Sequence, residues 1–279
     1  MKRKQHLIAL DLDGTLLTNK NTISSRTKEI IFRAIEDGHI VVIATGRPHR
    51  ASIQYYQSLG LTTPMVNFNG GLIHHPRDKG WHTKHNPIAN KLALSIVEAC
   101  YQLNVQNILA EVQDHAYLDQ HDQEIITMFQ ATQAEDFHYP FVIGKIIEQL
   151  KDDPTSLLIR PKDEQFDKLR VQLDDHVEFI EHRHWGGPLN IVEISKKGIN
   201  KAVGLHKIAA YYQIPQERII AFGDEDNDLE MIDYAGIGVA MDNAISDLKS
   251  IANHITGTNE RDGVGIFLEE YLNLRPIVS

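Results

Sequence analysis

Short apolar runs without polar alternation recur along this chain. They are Leu7-Ile8-Ala9-Leu10, Ile40-Val41-Val42-Ile43-Ala44, Met65-Val66, Ile219-Ile220-Ala221-Phe222 and Ile237-Gly238-Val239-Ala240. Runs of this length and composition predict strands buried on both faces of a parallel sheet. Helical spacing fills the intervals. It predicts a helix from Ser24 or Ser25 to Glu36, broken by Gly38, and another over residues 51–59, stopped by Gly60. Further helices are expected over 202–212, 229–235, 246–251 and 264–272, with a short strand at 254–255. Strand–helix alternation with short links implies right-handed crossovers and a doubly wound α/β sheet of the Rossmann-like kind.

The middle of the chain reads differently. Residues 72–75 and 81–85 flank the turn-rich Pro76-Arg77-Asp78-Lys79-Gly80 and predict a hairpin. A helix over 89–103 follows, then strand-like pieces at 107–111, 116–118, 156–160 and 177–182, and helices over 123–130 and 163–173. Strands set apart from helices suggest an α+β layer separate from the first sheet. The expected organisation is therefore a core split in sequence, 1–85 and 189–279, with an inserted α+β domain at 86–188.

The chemistry lies where the core strands end. The first strand runs into Asp11-Leu12-Asp13-Gly14-Thr15, two carboxylates two residues apart ahead of a glycine turn. Open α/β sheets bind ligands at the carboxyl ends of their strands. Side chains at i and i+2 of extended chain point the same way, and two close carboxylates invite a divalent cation. Asp-x-Asp-Gly also opens a calcium loop, but that loop needs an acidic twelfth residue, and Thr22 stands there. The second strand ends in Thr45-Gly46-Arg47-Pro48, a hydroxyl and an amide suited to an anion. Lys201 opens a helix after Lys197-Gly198-Ile199-Asn200, and Phe222 is followed by the acidic turn Gly223-Asp224-Glu225-Asp226-Asn227-Asp228.

In this order the four segments resemble the motifs of haloacid dehalogenase (HAD) superfamily phosphatases. Asn67-Phe68-Asn69-Gly70-Gly71 and Gly238-Val239-Ala240-Met241-Asp242-Asn243-Ala244 are similar to the Cof-type subgroup, subclass IIB, in which the insertion is a C2-type cap. The resemblance covers roughly residues 6–85 and 190–272. It implies that Asp11 is the nucleophile and Asp13 the general acid and base. It implies Mg²⁺ held by the Asp11 carboxylate, the Asp13 carbonyl and the Asp224 carboxylate. Phosphate would be held by the Leu12 amide, Thr45, Gly46 and Lys201, and by Asn227 unless that residue orients Lys201, with Asp228 fixing Lys201 or a metal-bound water. Arg47 and Asn69 are candidates for substrate contact, as are His184 and Trp185, and specificity is expected in the cap. Glu225 departs from the family, which usually has a small residue there; solvent is its expected direction.

Composition narrows the alternatives. A net charge of −10 over 279 residues argues against a nucleic-acid or anionic membrane partner. No apolar run approaches the ~18 residues of a membrane span, which sets aside the membrane ATPases that share aspartate chemistry. The basic N-terminus leads into a run that stops at Asp11, too short for a signal peptide core. The single Cys100 excludes an internal disulfide and reads as a buried thiol. Fifteen histidines lack the spacing of a zinc site. The expectation is a cytoplasmic phosphatase, monomer or weak homodimer, acting on a small phosphorylated metabolite such as a sugar phosphate, FMN or PLP. Its alternatives are a phosphomutase, which would return the phosphoryl group to substrate, and a non-catalytic phosphometabolite sensor.

Overall fold

The computed structural model describes residues 4–129, 141–185 and 189–274. They fall into two compact units. The first comprises the described residues within Met1–Gly46, Tyr55–Thr83 and Asn200–Ser279; the second is formed by Arg47–Gln54 and those within Lys84–Ile199.

In the first unit the chain runs β1 (Leu7–Leu10), α1 (Ser25–Glu36), β2 (Ile40–Ile43), α2 (His49–Ser58), β3 (Met65–Asn67) and β4 (Leu72–His74). The head of α2 clusters with the second unit. That unit contains β5 (Lys84–His85), α3 (Asn90–Leu103), β6 (Asn107–Val112), β7 (His115–Leu118), α4 (Gln123–Phe129), β8 (Val142–Ile143), α5 (Ile146–Gln149), β9 (Ser156–Arg160), α6 (Phe166–Asp174), β10 (Ile180–His184) and β11 (Val192–Lys196). The first unit then resumes with α7 (Lys201–Tyr212), β12 (Ile219–Gly223), α8 (Leu229–Tyr234), β13 (Ile237–Ala240), α9 (Ser246–Ile251), β14 (His254–Ile255) and α10 (Gly263–Tyr271).

The core sheet has the order β14-β13-β12-β1-β2, with every pair parallel. Strands β13, β12, β1 and β2 are apolar because both faces are covered, and Leu7, Ile8, Ala9 and Leu10 have no exposed surface, while the edge strand β14 is exposed. Leu10 lies level with Ile43 on one side and Phe222 on the other. One sheet edge therefore carries the residues after β1, β2 and β12. The strand order reverses between β12 and β1, the switch point at which such sheets bind ligands. Ser24 caps α1 as its spacing predicts, its Oγ accepting the Thr27 N–H at 3.1 Å. Asn200 does the same for α7, accepting from Val203 N–H at 3.2 Å, and so fixes where Lys201 leaves the helix.

The second unit is a six-stranded sheet, β10-β11-β9-β6-β7-β8, antiparallel except for its β7–β8 pair. The period of two is clear in β6 and β9. Ile108, Ala110, Leu157 and Ile159 pack with Val97 and Cys100 of α3 and Leu169 of α6, while Leu109 and Leu158 belong to a second cluster with Ile125 and Ile126 of α4.

Three sequence expectations need correction. The return to the core falls after Ile199, not at 189, because Val192–Lys196 pairs between β10 and β9. The strand expected at 177–182 begins only at Ile180, and the apolar Val177 and Phe179 sit exposed in a turn. The second arm of the predicted hairpin is just Lys84–His85. The helix expected over 123–130 is described to Phe129; Gln130 lies outside the described residues.

Candidate active site

The switch-point edge gathers residues from four distant segments. Asp11 follows β1 in an extended conformation with only 4% of its surface exposed. The chain then turns through Leu12–Leu16, which buries Leu12 and Thr15 but leaves Asp13 exposed. Gly14 makes the turn possible. Its φ is +69°, and a Cβ there would lie 2.1 Å from Asp224 Oδ2.

Lys201 organises the charges. Fully buried, its Nζ donates to Asp11 Oδ1 at 2.6 Å and to Asp228 Oδ1 at 2.7 Å. Asp228 Oδ2 accepts the backbone N–H groups of Asp224 and Glu225 at 3.0 and 3.3 Å. Asp228 thus ties the lysine to the acidic turn. Asp224 receives the Thr15 hydroxyl on Oδ1 at 2.8 Å.

Carboxylate oxygens of Asp11, Asp224 and Asp228 all lie within 4.8 Å of one another. When all three are ionised, the carboxylates set against one ammonium leave two negative charges in a buried space. Burial raises Asp11 well above the usual carboxylate range, with Asp228 and Asp224 adding repulsion and Lys201 opposing it. Burial likewise pushes Asp224 up to about 7. Lys201 is held charged, its two carboxylate partners outweighing the cost of burial. A hard divalent cation fits this donor set, since oxygen ligands and surplus negative charge are what it needs.

The anion-holding candidates stand beside the cluster. Thr45 is buried after β2, donating its N–H to Val66 O at 2.9 Å and accepting the Asn69 N–H at 3.1 Å. Gly46 follows it, with the Asn69 amide 3.2–3.3 Å from where a Cβ would be. Asn227 Nδ2 donates to Asn69 Oδ1 at 3.1 Å. The structure thus brings Asn69 to the second and fourth motifs. Arg47 belongs to the second unit, its Nη1 donating to Ala51 O at 3.3 Å. Trp185 also lies there, its Nε1 donating to Glu193 Oε2 at 2.9 Å, and His184 bonds Asn190.

The profile of the haloacid dehalogenase-like hydrolases matches residues 8–268.

The chain belongs to the haloacid dehalogenase-like hydrolases. Among its relatives, the 5-amino-6-(5-phospho-D-ribitylamino)uracil phosphatase YitU of Bacillus subtilis is 50% identical, covering 98% of this chain and all of that protein. The pyridoxal phosphate phosphatase YbhA of Escherichia coli is 29% identical over 95% of this chain and 98% of its own. Among solved structures, a haloacid dehalogenase-like hydrolase from Bacteroides thetaiotaomicron superposes with a TM-score of 0.81 at 28% identity, covering 96% of this chain and 100% of that one. Family, fold and full-length relatives together make this hydrolase a phosphatase. Among the described residues no helix is long and apolar enough to cross a membrane.

Sequence reasoning missed one residue of the hydrolase's site. Asn243 donates to Gly14 O at 2.8 Å, bracing the turn that carries Asp13, and its Oδ1 accepts the Asn259 N–H at 3.1 Å. The only signal was its place in the segment 238–244 that resembles the subgroup. Glu225 is exposed and stands outside the carboxylate cluster.

Proposed function

We propose that this hydrolase is a Mg²⁺-dependent phosphatase that dephosphorylates 5-amino-6-(5-phospho-D-ribitylamino)uracil through an aspartyl-phosphate on Asp11. The observation that carries the chemistry is the buried pairing of Asp11 with Lys201 beside Asp224 and Asp228. The full-length relative at 50% identity supports the substrate.

Lys201 occupies Asp11 Oδ1, so Oδ2 is the oxygen left to attack phosphorus. In the first step the Oδ2–P bond forms and the P–O bond to the substrate's alkyl carbon oxygen breaks; Asp13 delivers a proton to the departing alkoxide. In the second, Asp13 takes a proton from water, the water oxygen bonds to phosphorus, and Asp11 leaves as a carboxylate. Lys201, Thr45 and the Gly46 amide hold the equatorial oxygens, the largest task in phosphoryl transfer being position and charge. Asp11, Asp224 and the Asp13 carbonyl would hold Mg²⁺, which supplies neutralisation of the carboxylates and of the transferring group.

Phosphate release should be measured from the uracil compound, pyridoxal phosphate, FMN and a set of sugar phosphates, with Mg²⁺ and with EDTA. The uracil compound should lead, EDTA should stop the reaction, and Asp11→Asn should be inactive yet folded. An Asp11→Asn protein keeping a tenth of the parent rate would falsify the nucleophile assignment. A different leading substrate would remove the substrate assignment alone.

A further inference from the structure

The turn after β3 has an unusual backbone. Phe68, Asn69 and Gly70 have φ values of 51°, 50° and 97°, three successive residues in the left-handed region. Glycine adopts it freely and asparagine tolerates it, but a bulky, buried phenylalanine there is an outlier. Such conformations persist where surrounding structure dictates them, and they gather at functional sites. The contacts of this turn give the reason. The Asn69 N–H binds Thr45 O at 3.1 Å, and its side chain abuts Gly46, where a Cβ would meet Oδ1 at 3.2 Å. Asn69 Oδ1 accepts from Asn227 Nδ2 at 3.1 Å. Phe68–Gly70 packs on α7, the helix that begins with Lys201. One strained residue therefore touches the second motif and the fourth, on a turn seated against the third.

We propose that Asn69 is a positioning residue: its amide locks Asn227 against Thr45–Gly46, so that two loops from distant parts of the sequence form one phosphate cradle. This rests on the phosphatase reading above and replaces substrate contact as the role of Asn69. A side chain with Oδ1 committed to Asn227 and its backbone N–H to Thr45 is built into the wall of the site. The left-handed backbone is what turns both groups toward the two loops at once.

The role separates from a merely structural one by coupling. Losing one hydrogen bond in the cradle should raise KM for the uracil compound, and the dissociation constant of inorganic phosphate, about tenfold in Asn69→Ala, with the smaller change in kcat. Asn227→Ala should do likewise. Because Asn69 acts through Asn227, the double variant should stay within about threefold of Asn69→Ala, whereas independent contacts would multiply to about a hundredfold. Asn69→Gly accepts the φ of 50° without strain and keeps the backbone N–H, so it should match the parent's melting temperature while binding phosphate as weakly as Asn69→Ala. Calorimetry with inorganic phosphate reads the cradle without turnover. A parent that binds phosphate but releases none from any substrate would sink the phosphatase reading, and the phosphate affinities of the variants would still decide this one. Multiplicative losses in the double variant, or parent-like phosphate affinity in Asn69→Gly, overturn it.

Discussion

Replacing Lys201 by Met removes the one ammonium from a cluster of three carboxylates while keeping most of the side chain's volume. Lys201 has no exposed surface, and its Nζ serves Asp11 at 2.6 Å and Asp228 at 2.7 Å. Breaking a buried ion pair from one side costs roughly 3–5 kcal/mol, because the partner charge stays buried and unpaired. Two partners share this lysine, so the upper part of the range applies, and a loss of ~5 kcal/mol corresponds to a fall of roughly 10 °C in melting temperature. The effect should depend on pH. Burial already raises Asp11 above its unfolded value, and Lys201 opposes that rise. Without the lysine, the native state takes up protons that the unfolded chain releases, so the variant loses stability as pH climbs from about 4, the ordinary carboxylate value. Lys201 itself is raised, so its own stabilisation is intact at every pH below the ordinary lysine value and adds no slope in this window. Thermal melts of parent and variant in EDTA should therefore differ most near pH 8 and converge toward pH 4, and Mg²⁺ should recover part of the loss at pH 8. Equal melting temperatures at pH 8, or a gap that widens on acidification, would refute the charge balance described for this site.

Gly14→Ala should cost of order 1–3 kcal/mol from its positive φ alone and weaken Mg²⁺ activation, since the new Cβ would fall 2.1 Å from Asp224 Oδ2; a Mg²⁺ titration matching the parent's would contradict this. Cys100 is fully buried, and burial pushes its thiol up to about 12, so iodoacetamide at pH 8 should leave it unlabelled in the folded protein and label it fully in urea; rapid labelling of the native state would place α3 incorrectly. Asp13→Ala should slow alkyl phosphates by roughly 10²–10⁴-fold and an aryl phosphate far less, because a phenolate leaves with little protonation; equal losses in single-turnover release of the leaving group would end its role as general acid.

The core was legible because its signals are local. Each buried strand is an unbroken apolar run, each ends at a glycine or acidic turn, and Ser24 and Asn200 mark helix starts by side-chain capping. The second unit was harder to read. Val192–Lys196 alternates apolar and polar residues after a short link, and nothing local says that it pairs back into β9 rather than opening the next core element. Val177 and Phe179 are apolar by composition and exposed by position, a case where propensity lost to tertiary context. Within the site, the pattern of residues pointed to Asp11, Lys201 and Asp224 one by one. What joins them was legible only in part: the resemblance offered Asp228 as fixing Lys201 or a metal-bound water, and the structure shows the bond to Lys201, whereas the Asn227–Asn69 bond and the bracing of Gly14 by Asn243 depend on distances across 158 and 229 positions.

The proposed cation would explain why such a costly cluster persists. Burying three carboxylates around one ammonium is a poor route to stability, since apolar residues of like volume often do as well or better. The raised positions of Asp11 and Asp224 express that cost, because each ionised carboxylate is unfavourable where it stands. A divalent cation bound as proposed would remove the cost only in the folded state, where the residues after β1 and β12 meet. Binding and folding are then linked: a cation present at about a hundred times its dissociation constant stabilises the fold by roughly 2.7 kcal/mol. On the proposed Mg²⁺ reading, the same carboxylates that weaken the cation-free protein would give it its affinity, and a phosphate dianion would meet a site whose repulsion the cation cancels.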